Sequence, residues 1–179
     1  MKTTLNKIRA KGPCNSGWAK LLRNLGKTEA DDEEISIATI IDSNGLRDAI
    51  WCLRAVDGHD KEIRLYAVWC ARQVQHLMKD ERSIRALDVA ERYANGMATR
   101  DELESARSAA YAAYADSAAA YAADAAYADA DAYAADAAAY ASSYAYAYAY
   151  ADAYAADAYA AYYSQEKRLR EICQEADNA

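Results

Sequence analysis

The sequence predicts an all-α chain, stacked helical hairpins followed by long Ala/Tyr/Asp-rich antiparallel helices, and three observations carry that expectation. The stretch Ala106 to Tyr163 is written almost wholly in Ala, Tyr and Asp and holds neither Gly nor Pro. The best intrinsic helix former dominates there, and no breaker interrupts it. In the first hundred residues, apolar side chains recur at three- and four-residue spacing, the period of a buried helical stripe. That half also shows no apolar/polar alternation of the kind that marks a strand.

Thr3 or Thr4 caps a first helix running through Lys11, which Gly12-Pro13 ends. Asn15 or Ser16 opens the next, with Trp18, Leu21, Leu22 and Leu25 on one face and Gly26 as its stop. Asp31 to Glu34 reads as a solvated charged connector. Ser36 starts a helix bearing Ile37, Ile40 and Ile41; Asn44-Gly45 turns the chain into Leu46, Ala49, Ile50 and Leu53, and Asp57-Gly58 is a further turn. From Asp60, the residues Ile63, Tyr66, Ala67, Cys70, Val74 and Leu77 describe one long amphipathic helix, its apolar face widened by Leu65, Val68 and Trp69. Ser83 caps the following helix, with Ile84, Leu87, Ala90 and Tyr93 inward and Asn95-Gly96 at its end.

Thr99 and Glu102 have the spacing of a capping box, in which the hydroxyl and the carboxylate each satisfy a free amide of the first turn. The boundary between a helical domain, 1–98, and an Ala/Tyr/Asp-rich segment, 99–179, falls just before it. A single helix over the 58 residues from Ala106 to Tyr163 would run about 87 Å at 1.5 Å per residue. The expectation is instead two or three antiparallel segments, with turns near Ala128 to Asp131 or Ser142-Ser143. Alternation in Tyr144 to Tyr150 puts Tyr144 and Tyr148 on one helical face and Tyr146 and Tyr150 on the opposite one; a strand would align all four, but Ala is a poor strand residue. The chain ends on a short amphipathic piece with Leu169, Ile172 and Cys173.

Charge divides as sharply as composition. Residues 1–100 carry 17 Lys/Arg against 14 Asp/Glu, residues 101–164 one Arg against ten acids, and the last fifteen three against four, which sums to the net −7. An acidic, phenolic segment of this kind suits a basic protein partner and repels nucleic acid, so no direct nucleic-acid binding is expected. Its longest Asp-free part, Ala137 to Ala151, is shorter than the roughly 20 apolar residues a membrane span needs. Met1 to Gly12 lacks the apolar core of a signal peptide, and Cys14, Cys52, Cys70 and Cys173 form no CxxC pair. A cytoplasmic protein with reduced cysteines is expected.

Candidate chemistry is sparse. Cys52 or Cys70 with a histidine lacks an orienting motif for catalysis, and His59 and His76 without clustered ligands do not form a zinc motif, so no enzyme, cofactor or metal is expected. Two surfaces stand out for partner binding. One is the stripe Trp69, Arg72 and His76 on the long helix, although such a stripe is more often an internal face whose Arg and His are satisfied by acids such as Asp88 or Glu91 on the next helix. The other is the tract itself, with Tyr144, Tyr146, Tyr148 and Tyr150 as aromatic contacts and Asp124, Asp131, Asp136 and Asp152 as charged ones.

Several segments together resemble the immunity-protein family of bacteria and phages. They are Pro13-Cys14-Asn15-Ser16-Gly17-Trp18 with Lys20-Leu21-Leu22 and Leu25-Gly26-Lys27, Ala49-Ile50-Trp51-Cys52-Leu53-Arg54, Arg64 through Leu77, and Ala86 through Tyr93 with Gly96. The resemblance covers about the first hundred residues, and family members often continue into Ala-rich repeats. In this chain Tyr and Asp stand where Trp and Arg are common in the family. The resemblance implies an all-helical fold and neutralisation of a toxin by binding, with no catalytic residues. Two alternatives accompany it: a phage or bacterial structural module that self-assembles into homo-oligomers, and an acidic decoy of a basic nucleic-acid-binding protein. The decoy is disfavoured because seven Asp in 58 residues is sparse beside one charge per about 1.7 Å of duplex.

Overall fold

The computed structural model describes residues 1–73, 75–78, 80–113 and 155–178. These form an all-α fold with one small sheet: β1 (Lys2–Thr4), α1 (Leu5–Ala10), α2 (Asn15–Asn24), β2 (Glu34–Ser36), α3 (Ile37–Asn44), α4 (Leu46–Cys52), α5 (Asp60–Gln73), α6 (Glu81–Ala94), α7 (Arg100–Ala113) and α8 (Ala155–Asp177). Single 3₁₀ turns follow α4 at Leu53–Ala55 and α5 at Gln75–Leu77. The antiparallel arrangement of segments within the tract, its turns, and the Tyr144 to Tyr150 alternation lie outside the described residues.

Local chemistry sets most helix boundaries. The Thr4 hydroxyl accepts the Lys7 N–H at 3.2 Å and starts α1, and the Ser36 hydroxyl accepts the Thr39 N–H at 3.0 Å and starts α3. Gly45 joins α3 to α4 at φ 94°, a left-handed backbone that a side chain would strain. The capping box before α7 is complete: Glu102 N–H donates to the Thr99 hydroxyl at 3.2 Å, and Thr99 N–H donates to the Glu102 carboxylate at 2.7 Å.

Five local expectations are corrected. β1 and β2 pair antiparallel, Lys2 with Ser36 and Thr4 with Glu34, where only helix and a charged loop were expected. Three-residue strands are too short for alternation to register, and the pairing depends on residues thirty or more positions apart. Helix α2 is capped not by Asn15 or Ser16 but by Cys14, whose sulfur accepts the Gly17 N–H at 3.4 Å. Helix α6 is capped by Asp80, which accepts the Arg82 N–H at 2.8 Å, so Ser83 lies buried inside the first turn. Asp is as good a cap as Ser, and it comes a turn earlier. Helix α5 ends at Gln73; Val74 lies outside the described residues, and Leu77 belongs to the 3₁₀ turn. The chain end is no short piece, because α8 extends over 23 residues.

Leu169, Ile172 and Cys173 of α8 join the main apolar core with Leu5 and Ile8 of α1, Ile37, Ile40 and Ile41 of α3, Leu46 and Ile50 of α4, and Tyr66, Ala67 and Cys70 of α5. Leu169 is fully buried, a burial worth about 1.5–3 kcal/mol to the fold. Helix α8 packs against both α3 and α5. Its C-terminal turn receives the Met1 ammonium, which donates to the Cys173 carbonyl at 3.1 Å and pairs with Asp177 at 2.6 Å. A cation is favoured there because the last carbonyls of a helix carry its negative end. A second apolar cluster, Val68, Ala86, Val89, Ala90, Leu103 and Ala110, joins α6 and α7 to the outer side of α5.

Candidate partner-binding surface

Helix α5 carries the first candidate surface. Ile63, Tyr66, Ala67 and Cys70 face the core, which leaves Trp69 half-buried with its ring stacked on Tyr66, centroids 6.5 Å apart at 15°. One turn on, Arg72 points to α6 and donates to Asp88 at 2.9 Å and Glu91 at 2.5 Å, while its other terminal nitrogen reaches Gln75 at 2.9 Å. Partial burial opposes the charge, but the two carboxylates outweigh it and hold the Arg72 pKa above its ordinary value. The guanidinium is therefore a clasp between α5 and α6. His76 is exposed on the 3₁₀ turn beyond α5, off the helical stripe that Trp69 and Arg72 share.

The second candidate surface, Tyr144, Tyr146, Tyr148, Tyr150, Asp124, Asp131, Asp136 and Asp152, lies outside the described residues. Both helices that flank it are described. At the N-terminal flank, α7 starts at its capping box and buries Leu103 and Ala110. At the C-terminal flank, Tyr162 of α8 packs against the main core, and its hydroxyl accepts the Leu46 N–H at 3.1 Å. A Cβ at Gly45 would stand 3.5 Å from that hydroxyl, so the α3–α4 turn fits closely under the ring. Further along, Gln165 is buried and accepts the Tyr66 hydroxyl at 3.4 Å through its carbonyl. Arg170 ties α8 to α3 through Asp42 at 2.6 Å while holding Glu166 at 2.9 Å. Tyr163, edge-on to Tyr162 with centroids 6.2 Å apart, is 66% exposed.

Sequence reasoning did not single out Tyr162, Gln165, Arg170 or Arg64. Arg64 is fully buried with its guanidinium 5.1 Å from the Tyr93 ring centroid. A charged residue among the apolar positions of α5, one place after Ile63, was the available signal. Tyr162 carried none, since its sequence context matches the rest of the tract.

The cysteines separate by environment. Burial pushes the Cys52 and Cys70 thiols up to about 12 and Cys173 to about 11, which makes them poor nucleophiles at neutral pH. Cys14 is exposed, and the Gly17 N–H and then the Ser16 hydroxyl lower its pKa. Among the described residues no group of three His, Cys, Asp or Glu side chains is placed to hold a metal ion. No helix among them is long and apolar enough to cross a membrane. The chain matches no protein-family model, no curated protein and no solved structure.

Proposed function

We propose that this protein is a non-enzymatic, immunity-type binding protein of the cytoplasm, whose Ala/Tyr/Asp tract captures a basic protein toxin. The observation that carries this reading is the anchoring of both flanks of the tract: α7 packs on α6, and α8 enters the main core through Tyr162, Gln165 and Leu169. A segment that served only as a solvated tail would need no such seat. Fixed flanks lower the ordering cost of binding, and Tyr adds contact area with few rotatable bonds. The net charge of residues 101–164, one Arg against ten acids, selects a basic surface. Arg72 is already matched by Asp88 and Glu91, which supports the tract over the α5 stripe as the contact face.

The test is affinity capture from source-cell lysate with the full chain, followed by association kinetics on the retained protein. Replacing Asp124, Asp131, Asp136 and Asp152 together by Asn is expected to slow association about tenfold at low ionic strength and to flatten its salt dependence. Capture and kinetics unchanged by the four substitutions at every salt concentration would overturn the reading.

A further inference from the structure

Met1 lies in the main core at 1% exposure, and its α-amine is buried with it. Several contacts fix where that amine stands. The Met1 carbonyl accepts the Ile37 N–H at 3.0 Å, continuing the register in which Lys2 faces Ser36. The buried Thr3 hydroxyl donates to the Ala55 carbonyl, and the Thr4 hydroxyl caps α1, whose Leu5 and Ile8 enter the same core. Met1 therefore cannot swing outward without opening the sheet and giving up buried contacts. What meets the amine comes from the far end of α8: the Cys173 carbonyl at 3.1 Å and the Asp177 carboxylate at 2.6 Å. These two residues stand one turn apart on one helical face, so the ammonium bridges them. Charge-assisted bonds of this kind are roughly twice as strong as neutral ones, and the negative end of the helix adds to the attraction.

An α-amine is also the group that acyl donors modify. After the ammonium has given one proton to water, the neutral amine attacks the acyl carbon of an acetyl thioester. The C–N bond forms as the C–S bond breaks, and the amine proton leaves on the thiol. The product at this site has no positive charge, a single N–H in place of the ammonium's donors, and an acetyl group that must fit where Met1 is almost wholly enclosed. Since β1 is held by its own register, the end of α8 is what gives way. We infer that the Met1 α-amine is a modification site that controls the seat of α8: the free ammonium latches the last turns of the helix, and acetylation releases them. Because the folded chain encloses the amine, the acyl group is added before folding, and the choice between the two forms is made at synthesis. Helix α8 continues from the Ala/Tyr/Asp tract, so the released form carries that tract on a less firmly held C-terminal flank. The inference stands on described contacts and does not depend on what the tract binds.

Amide hydrogen exchange on the full chain, with the Met1 amine either free or Nα-acetylated and each form verified by intact mass, tests this. Acetylation is expected to speed exchange of the residue 171–177 amides at least about tenfold, with α6 and α7 unchanged. Asp177→Asn on the free-amine chain is expected to speed the same amides about threefold. It should add nothing once the amine is acetylated, because the carboxylate then has no cation to hold. The inference is overturned if residues 171–177 exchange equally slowly in both forms. Acceleration spread equally over α6 and α7 overturns it too, since that is loss of the whole fold and not release of one helix end. So does an equal further acceleration by Asp177→Asn in both forms, which would show that the acetyl group acts without breaking the pair.

Discussion

The core around α3, α5 and α8 and the seam joining α6 to α7 bury apolar surface in different ways. The core interlocks branched side chains, among them Ile37, Ile40, Leu53, Leu87 and Leu169, all fully buried. Its contacts connect residues more than a hundred positions apart, as in the packing of α8 against α3. The seam consists largely of Ala86, Ala90 and Ala110 with Val68, Val89 and Leu103, between helices adjacent in sequence. Small side chains bring helix backbones close but remove little apolar area from water, at about 25 cal/mol per Å². Polar ties border that seam: Arg72 to Asp88 and Glu91, Arg92 to Glu102 at 3.5 Å, and the box of Thr99 with Glu102. The comparison teaches that an Ala-rich helix of this protein gains close approach from its composition and needs a core of larger residues elsewhere to hold it.

The largest expected effect comes from making the same truncation in both regions. Leu169→Ala should destabilise the chain by about 4 kcal/mol and Leu103→Ala by about 2 kcal/mol, within the range for buried leucines, because the first leaves a cavity among large neighbours that cannot collapse. Denaturant unfolding of the two variants measures the gap, and equal losses would erase the distinction. A middle-sized effect runs the other way: Ala90→Leu should cost about 2 kcal/mol by forcing α6 and α7 apart. A neutral result in thermal melts would show that the seam has room.

The smallest effect probes the N-cap of α6, the helix the core and the seam share. Arg82, through its side chain and then its N–H, holds the Asp80 carboxyl down to about 2 in the fold. An unfolded Asp titrates near about 3.9, so unfolding takes up a proton between these pH values. The stabilisation is complete above about pH 4 and is lost as pH falls toward 2. Asp80→Asn should therefore unfold more easily than the wild type above pH 4 and converge with it near pH 2, measured as the denaturant midpoint against pH.

How much was legible beforehand follows the range of the interactions. The helices carrying Ile37 and Ile40, the Gly45 turn and the Thr99–Glu102 box were readable because each is decided within four residues. The caps at Cys14 and Asp80 were missed in favour of nearby Asn, Ser or Ser83, since several side chains within one turn could do the same work. Of the candidate contacts, Arg72 proved to be matched by the two acids considered for it, Asp88 and Glu91. The seat of α8 was not legible: the pairing of Tyr162 with Leu46, and of Arg170 with Asp42, spans more than a hundred residues and leaves no periodic trace.

By itself, then, the sequence determined the helical class, most helix starts and stops, and the separation of a mixed first half from an acidic, phenolic tract, because propensity, capping and charge are properties of short stretches. Only the tertiary structure decided that β1 pairs with β2, that Met1 accepts the Ile37 N–H and meets the end of α8, and that Leu169 completes the core begun by Leu5 and Ile8. Those outcomes depend on which buried surfaces fit one another across the whole chain, and that complementarity is written in no local window.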